Sequence, residues 1–354
     1  EIINTENHIA DIYLLGVGTV GSELLDIIGK ESSQEITIRS VGSSKKMIVG
    51  NDAVNPITAI DDLNKLGVPF ELSEFLNTDG TKVTKQKIFI DCTASETIAK
   101  EYVNILDLGF SVVTANKIAN TLDQDYYYLI RDTAKNNNVQ FRYETNVGAG
   151  LPIIYTLQGL IATGDKILSI EGVLSGTLSY LFNAFDGQKP FSSIVKDARA
   201  KGFTEPDPRE DLSGMDVARK ILILARETGS KLELKDISVE SLIPAELDPE
   251  LSVDRFLDRL AKYDENFQKR LEKATAVQKV LRYIGSWDGQ KAKVGLEAVG
   301  NDNQFYNQKG SENFIVFRSK RYNDVPLSIK GHGAGAAVTA AGLLRDIQLC
   351  LEDR

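Results

Sequence analysis

An acidic segment that leads into a paired carboxylate and ammonium is the part of this sequence best suited to chemistry. Residues 201–220 read KGFTEPDPREDLSGMDVARK. Pro206 and Pro208 are incompatible with a regular helix through the acidic part, so an extended segment is predicted there. Asp216 and Lys220 are four residues apart and would project from the same side of the helix that follows. Such a loop could bind a substrate ammonium and leave Lys220 to transfer a proton to an oxygen.

The same residues have a structural alternative. Ser213, with Asp216 three residues later, fits a capping box at the start of a helix. Asp216 and Lys220 would then form only an exposed helical ion pair, which contributes little to stability. The segment by itself does not decide between binding and capping.

Composition restricts the classes of protein to consider. A length of 354 residues predicts two domains, and 42% hydrophobic with 26% charged residues is typical of a soluble globular chain. The net charge of −9 argues against a nucleic-acid partner, because phosphate binding needs a basic surface. The apolar runs are too short for a membrane span and the N-terminus lacks a signal peptide, so no membrane partner is expected.

Cysteine and histidine usage also excludes several kinds of site. The chain has two cysteines, Cys92 and Cys350, and two histidines, His8 and His332. They provide neither a disulfide framework nor zinc-ligand spacing, which predicts a reducing, cytoplasmic location. A histidine-rich metal site or a Ser-His-Asp triad is not expected. The chain begins with Glu1 rather than Met, which suggests a fragment of something longer.

A glycine-rich turn follows the first predicted strand. Ile9–Leu15 is expected to be a buried strand and Ser22–Ile28 a helix, with GVGTVG between them. In this context the backbone amides and the helix N-terminus can approach a pyrophosphate, so the pattern predicts a dinucleotide site. The alternative is a turn that only packs the helix against the strand.

The end of the second predicted strand, Ile36–Val41, favours NADP over NAD. NAD-selective sites usually carry an acidic residue at this place. This chain has basic and hydroxyl side chains there instead, at Arg39, Ser43, Ser44, Lys45 and Lys46. They favour the 2′-phosphate of NADP, although a solvated basic turn explains the lysines nearly as well.

The remaining pattern predicts the fold class. Two further strands end in small polar residues, and the carboxyl ends of strands in a doubly wound sheet face the ligand crevice, which places Thr93, Ser95 and Lys117 there. Strands and helices alternate to about residue 145, so a Rossmann-like doubly wound parallel sheet is predicted, followed by an α+β domain with a mixed sheet. The expected divisions are residues 1–146, residues 147–327, and a C-terminal segment 328–354 that returns toward the first domain.

Six motifs, found in order, make the chain resemble homoserine dehydrogenase over nearly its whole length. It is most similar to the C-terminal dehydrogenase half of bifunctional aspartokinase–homoserine dehydrogenases. The motifs are GVGTVG (16–21), TANK (114–117), ETNVGAGLP (144–152), GTLSY (176–180), TEPDPREDLSGMDVARK (204–220) and GHGAG (331–335). The acidic motif is highly specific.

The resemblance implies that the chain interconverts L-homoserine and L-aspartate 4-semialdehyde with NADP or NAD, in threonine, methionine and isoleucine biosynthesis. Lys220 would be the proton donor, and Lys117 would lie beside the nicotinamide and the reacting oxygen. The substrate would be bound by Glu205, Asp216, Asp211 and Thr177. The cofactor would be contacted by Gly16, Val17, Gly18, Thr19, Val20, Gly21, Thr93, Ser95, Lys117, Gly202, Gly331 and Gly333, with Arg39 and Lys45 expected at the 2′-phosphate.

The resemblance also implies a monovalent cation, usually sodium, bound largely through backbone carbonyls at Glu144, Val147, Ala149 and Leu151. It implies a homodimer through the second domain and a fusion to an N-terminal aspartokinase, which the end of the chain soon after the glycine motif suits. Phe203 departs from the tyrosine common before the acidic motif. His332 stands where other residues are usual, and no role is assigned to it.

The chemistry expected of these residues follows from charge. Hydride addition to an aldehyde develops negative charge on its oxygen, which a nearby ammonium stabilises and protonates. Domain closure would bring Lys117 and Lys220 to that oxygen, while Glu205 and Asp216 fix the amino-acid end. Two other classes stay open: a phosphorylating semialdehyde dehydrogenase with Cys92 as nucleophile, and a non-catalytic NADP-binding regulator.

Overall fold

The computed structural model describes residues 10–31, 36–50, 53–77 and 86–352. The chain forms two compact units. The first comprises the described residues up to Gly150 and from Ala334 onwards, and the second is Leu151–Gly333. These divisions lie a few residues beyond those expected from the sequence. Among the described residues, no helix combines the length and the apolar character that crossing a bilayer requires.

The first unit is built on a seven-stranded sheet with the order β4-β3-β2-β1-β5-β6-β7. The elements in chain order are β1 (Ala10–Leu15), α1 (Thr19–Glu31), β2 (Ile36–Gly42), β3 (Lys46–Val49), α2 (Ala59–Leu66), β4 (Val68–Pro69), α3 (Leu72–Phe75), β5 (Gln86–Asp91), α4 (Glu96–Ala99), α5 (Tyr102–Asp107), β6 (Ser111–Thr114), α6 (Gln124–Asn136) and β7 (Phe141–Arg142). Neighbouring strands in the run β2-β1-β5-β6-β7 pair in parallel. At the edge beside β2, β3 and β4 pair antiparallel. The strand order reverses between β1 and β5, and ligands of such sheets bind at that point, beyond the carboxyl ends of the strands.

The second unit contains a mixed six-stranded sheet with the order β13-β12-β8-β10-β11-β9. Its elements are α7 (Ile154–Ala162), β8 (Ile167–Val173), α8 (Gly176–Ala184), α9 (Phe191–Ala200), α10 (Pro208–Leu212), α11 (Met215–Glu227), β9 (Ser238–Val239), α12 (Val253–Leu260), α13 (Asp264–Thr275), β10 (Val280–Trp287), β11 (Ala292–Val299), β12 (Asn313–Ser319) and β13 (Leu327–Gly331). Only β9 and β11 pair in parallel. The chain then returns to the first unit as α14 (Ala336–Glu352).

Side chains of β1 alternate between two hydrophobic cores, which makes the first sheet doubly covered. Ile12 and Leu14 pack in one core, together with Leu24 of α1 and Leu343 of α14. Tyr13 and Leu15 pack in a second core, which contains side chains of α5 and α6. Because successive strand residues point to opposite faces, helices on both sides are needed to bury them. This confirms the predicted doubly wound architecture.

The acidic segment differs from its prediction. Pro206 and Pro208 were expected to keep it extended, but Pro208 instead begins the short helix α10. Proline is tolerated at the first helical position because the amide it lacks would be unpaired there in any case. Asp207 caps the helix by accepting a hydrogen bond from the backbone N–H of Arg209 at 3.0 Å. Glu210 and Asp211 therefore lie on a helical turn. The predicted strand over residues 139–144 is also shorter than expected, because β7 holds only two residues.

Candidate active site

The glycine turn after β1 has the geometry of a dinucleotide-binding turn. Gly16 has a φ of 98°, a left-handed conformation that glycine adopts without strain, and its N–H donates to the Gly42 carbonyl at 2.8 Å. A Cβ on Gly21 would lie 1.8 Å from the Gly16 carbonyl oxygen, so α1 packs too closely on the turn for any side chain there. A Cβ on Gly18 would meet no atom within 4 Å. These are the three separate needs that a dinucleotide turn places on its glycines: a tight turn, an open approach and close helix packing.

The open space at Gly18 gives a test of the cofactor site. Gly18→Ala should leave the melting temperature unchanged, because the added methyl contacts no protein atom. It should weaken NADP binding about tenfold or more, because the methyl occupies the space into which a pyrophosphate would come. Titration of NADP fluorescence quenching together with thermal melting measures both quantities. Gly21→Ala is the matched control and should lower the melting temperature instead. Unchanged NADP affinity in Gly18→Ala would contradict a pyrophosphate site at this turn.

The carboxyl ends of β5 and β6 are joined by a buried network centred on Asp91, which the sequence analysis did not single out. One Asp91 oxygen accepts hydrogen bonds from the Tyr102 hydroxyl at 2.6 Å and the Asn116 amide at 3.1 Å. The other accepts from the backbone N–H of Thr93 at 2.7 Å. Burial raises the pKa of Asp91, and these hydrogen bonds oppose the shift. The network fixes the loops that carry the predicted site residues Thr93, Ser95 and Lys117.

Each of those three residues lies just beyond the carboxyl end of its strand, at the position expected from the sequence. Thr93 and Ser95 follow β5, and the Ser95 hydroxyl caps α4 by accepting from Ile98 N–H at 3.3 Å. Lys117 follows β6 and is half-buried, and its carbonyl accepts from the Thr121 hydroxyl at 3.2 Å. Lys117 thus lies just beyond the carboxyl end of β6. This strand pairs with β5, which in turn pairs with β1, the strand that leads into the glycine turn.

Arg39 does not lie where a 2′-phosphate was expected. It is within β2, not beyond its end, and its Nε donates to the Asp11 carboxylate at 2.6 Å. Asp11 is fully buried and the Arg39 side chain is 13% exposed. Because a buried carboxylate requires a cationic partner, Arg39 is held inside the sheet. The turn between β2 and β3 remains for the phosphate, with Ser43, Ser44 and the exposed Lys45.

The turn predicted to bind a cation has an unusual backbone. Glu144 and Val147 are buried, and Gly148 and Ala149 both have positive φ, 77° and 53°. Gly148 adopts this conformation without strain, whereas Ala149 is strained, and the two successive left-handed residues redirect the carbonyls of the turn. The Glu144 N–H donates to the buried Asp346 carboxylate of α14 at 3.1 Å. Leu151 is the first residue of the second unit, and its carbonyl accepts from Ile153 N–H at 2.8 Å.

In the second unit, Lys220 and Asp216 of α11 form an ion pair in which the lysine is shielded from solvent. The Lys220 ammonium lies 2.7 Å from an Asp216 carboxylate oxygen and donates to the Leu174 carbonyl at 2.8 Å. The Lys220 side chain is only 12% exposed, against 44% for Asp216. The predicted capping box is also absent, since Gly214 with a φ of 74° is the N-cap of α11 and makes no side-chain cap. The capping alternative therefore does not apply, and the helical ion pair that does form is shielded from solvent on its lysine side.

The other predicted substrate residues gather around Asp211 of α10. The Asp211 carboxylate accepts the Glu205 backbone N–H at 2.8 Å and a hydrogen bond from the Thr177 hydroxyl. The single hydroxyl hydrogen of Thr177 is shared with the Phe203 carbonyl oxygen, which lies 2.8 Å from the Thr177 hydroxyl. Burial raises the pKa of Asp211, and the negative charges of Glu205 and Asp216 raise it further, so the three carboxylates interact electrostatically. A concentration of negative charge beside one lysine is suited to a ligand that carries its own ammonium.

The remaining predicted cofactor residues have local roles in the second unit. Gly202 has a φ of 72° and ends the turn after α9. A Cβ on Gly331 would lie 2.8 Å from Leu151, and one on Gly333 would lie 1.9 Å from the Asn313 amide nitrogen. Packing therefore favours glycine at position 333, whereas the contact at Gly331 is with the end of a flexible leucine side chain.

The two departures from the family pattern are both exposed. Phe203 is 49% exposed and packs edge-on against Tyr180, with ring centroids 4.8 Å apart. His332 is exposed. Neither side chain shows a contact that assigns it to the carboxylate cluster.

Cys92 is poorly suited to act as a nucleophile. It follows β5 and packs against the core beneath α1. Burial, with a contribution from the Asp91 charge, raises the pKa of the Cys92 thiol, whereas nucleophilic cysteines need a lowered pKa.

Cys92→Ala should therefore retain nearly full activity, measured as the steady-state rate with saturating substrate. Loss of turnover with an unchanged melting temperature would instead support the phosphorylating dehydrogenase.

Family models and related sequences all indicate the same protein family. A family model described as homoserine dehydrogenase matches residues 152–348, and one described as its NAD binding domain matches residues 16–144. The bifunctional aspartokinase/homoserine dehydrogenase of Haemophilus influenzae is 41% identical over 97% of this chain and 43% of its own length. The chloroplastic bifunctional enzyme 2 of Arabidopsis thaliana is 42% identical over 94% of this chain and 38% of its own length. The chain thus spans about two fifths of the length of these relatives.

Solved structures share the fold. A Candida auris protein of unknown function superposes with a TM-score of 0.89 at 35% identity, covering 97% of this chain and 98% of that one. A hyperthermophilic archaeal homoserine dehydrogenase in complex with NADPH has a TM-score of 0.75 at 22% identity, with 97% and 98% covered. At that identity the second similarity concerns the fold alone. With two family models covering both units and relatives above 40% identity along nearly all of its length, the chain belongs to the homoserine dehydrogenase family.

Proposed function

We propose that this chain interconverts L-homoserine and L-aspartate 4-semialdehyde, with NADP as the preferred cofactor and NAD as an alternative. The observation that supports this most is the cluster in the second unit, in which three carboxylates lie near one shielded lysine. Homoserine carries an ammonium for the carboxylates and a hydroxyl for the lysine. Family membership supports the same reaction.

The carboxylates would bind and orient the substrate. Glu205 is exposed, and its backbone is fixed by Asp211, so its carboxylate can meet an incoming ammonium without rearrangement of the loop. Asp216 is partly exposed beside Lys220. A charge-assisted hydrogen bond contributes roughly 1.5–3 kcal/mol, and holding the amino-acid end turns that binding into orientation of the reacting end.

Lys220 would hold the proton at the reacting oxygen. In the direction of reduction, its ammonium would donate a proton to the aldehyde oxygen as negative charge develops there. When bound, the reduced nicotinamide supplies the hydride for the aldehyde carbon. The turn Gly16–Gly21 would hold the pyrophosphate, and Ser43, Ser44 and Lys45 the 2′-phosphate. We keep Lys117 as a second proposed lysine for the same oxygen, supported by its place after β6.

The other proposals rest on family resemblance and on fewer observations. A sodium ion is proposed at the carbonyls of Glu144, Val147, Ala149 and Leu151, which suits the turn because hard cations prefer oxygen ligands. No group of three or more His, Cys, Asp and Glu side chains in the described ranges could hold a metal. A homodimer through the second unit, an N-terminal aspartokinase in the full protein and a cytoplasmic location also remain proposals. The bifunctional names of the relatives support the fusion.

Side-by-side oxidation of L-homoserine with NADP and with NAD tests the proposed reaction. We expect turnover with both and a higher kcat/KM with NADP. Addition of phosphate should not change the rate, because no acyl phosphate is formed. NADP binding without any turnover of homoserine would favour a non-catalytic regulator, whereas phosphate-dependent reduction of NADP with L-aspartate 4-semialdehyde in place of homoserine would favour the phosphorylating enzyme.

A further inference from the structure

A buried amide shares the carbonyl that holds Lys220. Asn313 is the first residue of β12 and is 1% exposed. Its Nδ2 lies 3.5 Å from the Leu174 carbonyl oxygen, which also accepts from the Lys220 ammonium at 2.8 Å. Leu174 lies directly after β8, just beyond the last pair between β8 and β12, Phe314 with Val173. Through this carbonyl the end of β8 is hydrogen-bonded to Lys220 of α11.

The Asn313 amide is not explained by packing. No hydrogen-bond donor among the residues that the structure describes reaches its Oδ1, although this atom is buried. A buried acceptor without a partner destabilises the fold, and an apolar side chain of similar size would avoid that loss. The contact from Nδ2 is long for a hydrogen bond and is weak on its own. Its effect is directional, because only the NH2 end of the amide can face the Leu174 carbonyl.

Gly333 permits this placement of the amide. A Cβ on Gly333 would lie 1.9 Å from Asn313 Nδ2 and 2.0 Å from its Cγ, so the backbone of the closing glycine motif packs directly on the amide. Asn313 also pairs with Gly331 in the β12–β13 ladder. The Gly333 backbone therefore limits the space on one side of the amide, whose Nδ2 faces the Leu174 carbonyl.

We infer that Asn313 is a positioning residue that orients the Leu174 carbonyl and thereby fixes the Lys220 ammonium. The inference rests on the proposed function, in which Lys220 acts on the substrate oxygen. Asn313 acts through Leu174 and does not itself touch the substrate. An ammonium with three donors can rotate among several acceptors, so a fixed carbonyl narrows the directions in which its remaining hydrogens point.

Asn313→Leu separates this role from a structural one. The substitution removes both the donor and the unpaired acceptor at similar size, so the melting temperature should stay equal or rise. The kcat for homoserine should nevertheless fall about tenfold, while the Michaelis constants for homoserine and NADP change less than about twofold. A residue that only supports the fold would lower the melting temperature and leave kcat unchanged. If Asn313→Leu does not fold, Asn313→Ala, which only removes atoms, replaces it.

A double-mutant cycle with Lys220→Met tests whether the effect acts through the lysine. In the Lys220→Met background, Asn313→Leu should change kcat by less than about twofold, because there is no ammonium left to position. The same tenfold loss in both backgrounds would overturn the inference, as would an unchanged kcat in the single variant. Absence of homoserine turnover in the unmodified chain would overturn the proposed function as well, so the two failures are distinguishable.

Discussion

Lys220→Ala is expected to lower homoserine turnover by about 10²–10⁴-fold while NADP affinity stays unchanged. The reason is that the ammonium proposed to protonate the substrate oxygen is lost, whereas the glycine turn of the first unit is untouched. Stopped-flow or steady-state rates and NADP titration give the two quantities. The melting temperature should change little, because the partly exposed Asp216 carboxylate can be solvated when its partner is removed.

Lys269 provides the matched control for this variant. It also pairs with a carboxylate four residues away on a helix, at 2.6 Å from Glu265, but it is 59% exposed. Lys269→Ala should leave kcat unchanged, because an exposed pair of this kind does no more than add slightly to helix stability. A loss below tenfold in Lys220→Ala, or an equal loss in both variants, would remove Lys220 from its proposed role.

Glu205→Gln is expected to raise the homoserine Michaelis constant about 10- to 100-fold and to leave NADP affinity and the melting temperature unchanged. The substitution removes the charge from the side chain, while the backbone N–H that Asp211 accepts is retained. Glu205 lies outside any helix, so a capping explanation does not apply to it. Initial rates over a range of homoserine concentrations measure the change.

Glu210→Gln is the control in the same acidic segment. Glu210 is exposed on α10, and the recorded hydrogen bond from Ser213 goes to its carbonyl rather than to its side chain. Glu210→Gln removes one negative charge from the segment, as Glu205→Gln does, and should leave the Michaelis constant for homoserine unchanged. Equal effects of Glu205→Gln and Glu210→Gln would mean that the segment attracts the substrate only by its net charge.

Local sequence patterns predicted most of the fold. β10, β11 and α12 have the predicted bounds, since each is a run of residues with one clear periodicity. The strand–glycine–helix pattern predicted the turn at Gly16, although Ile9, the first residue of that predicted strand, lies outside the described residues. These features depend on residues that are neighbours in sequence, and a single chain shows them directly.

Contacts between distant residues could not be predicted in the same way. Arg39 looked available for a phosphate because Asp11, its partner, is 28 residues away. The Leu174 carbonyl that holds Lys220 is 46 residues from it and has no side-chain signature at all. The helix α10 was missed because Pro208 was read only as a helix breaker, whereas at a first helical position it is compatible with a helix. A polar residue at the end of a buried strand, as at Asp91, is the one signal that the sequence offered for the network beneath the site.

The most direct test of the account compares L-homoserine with 4-hydroxybutanoate, which lacks the amino group, as substrates of the unmodified chain with NADP. The carboxylates near Lys220 are proposed to bind the substrate ammonium. We therefore expect kcat/KM for homoserine to exceed that for 4-hydroxybutanoate by about 10- to 100-fold, measured from the absorbance of the NADPH formed. Equal values for the two alcohols, or no oxidation of homoserine, would contradict it.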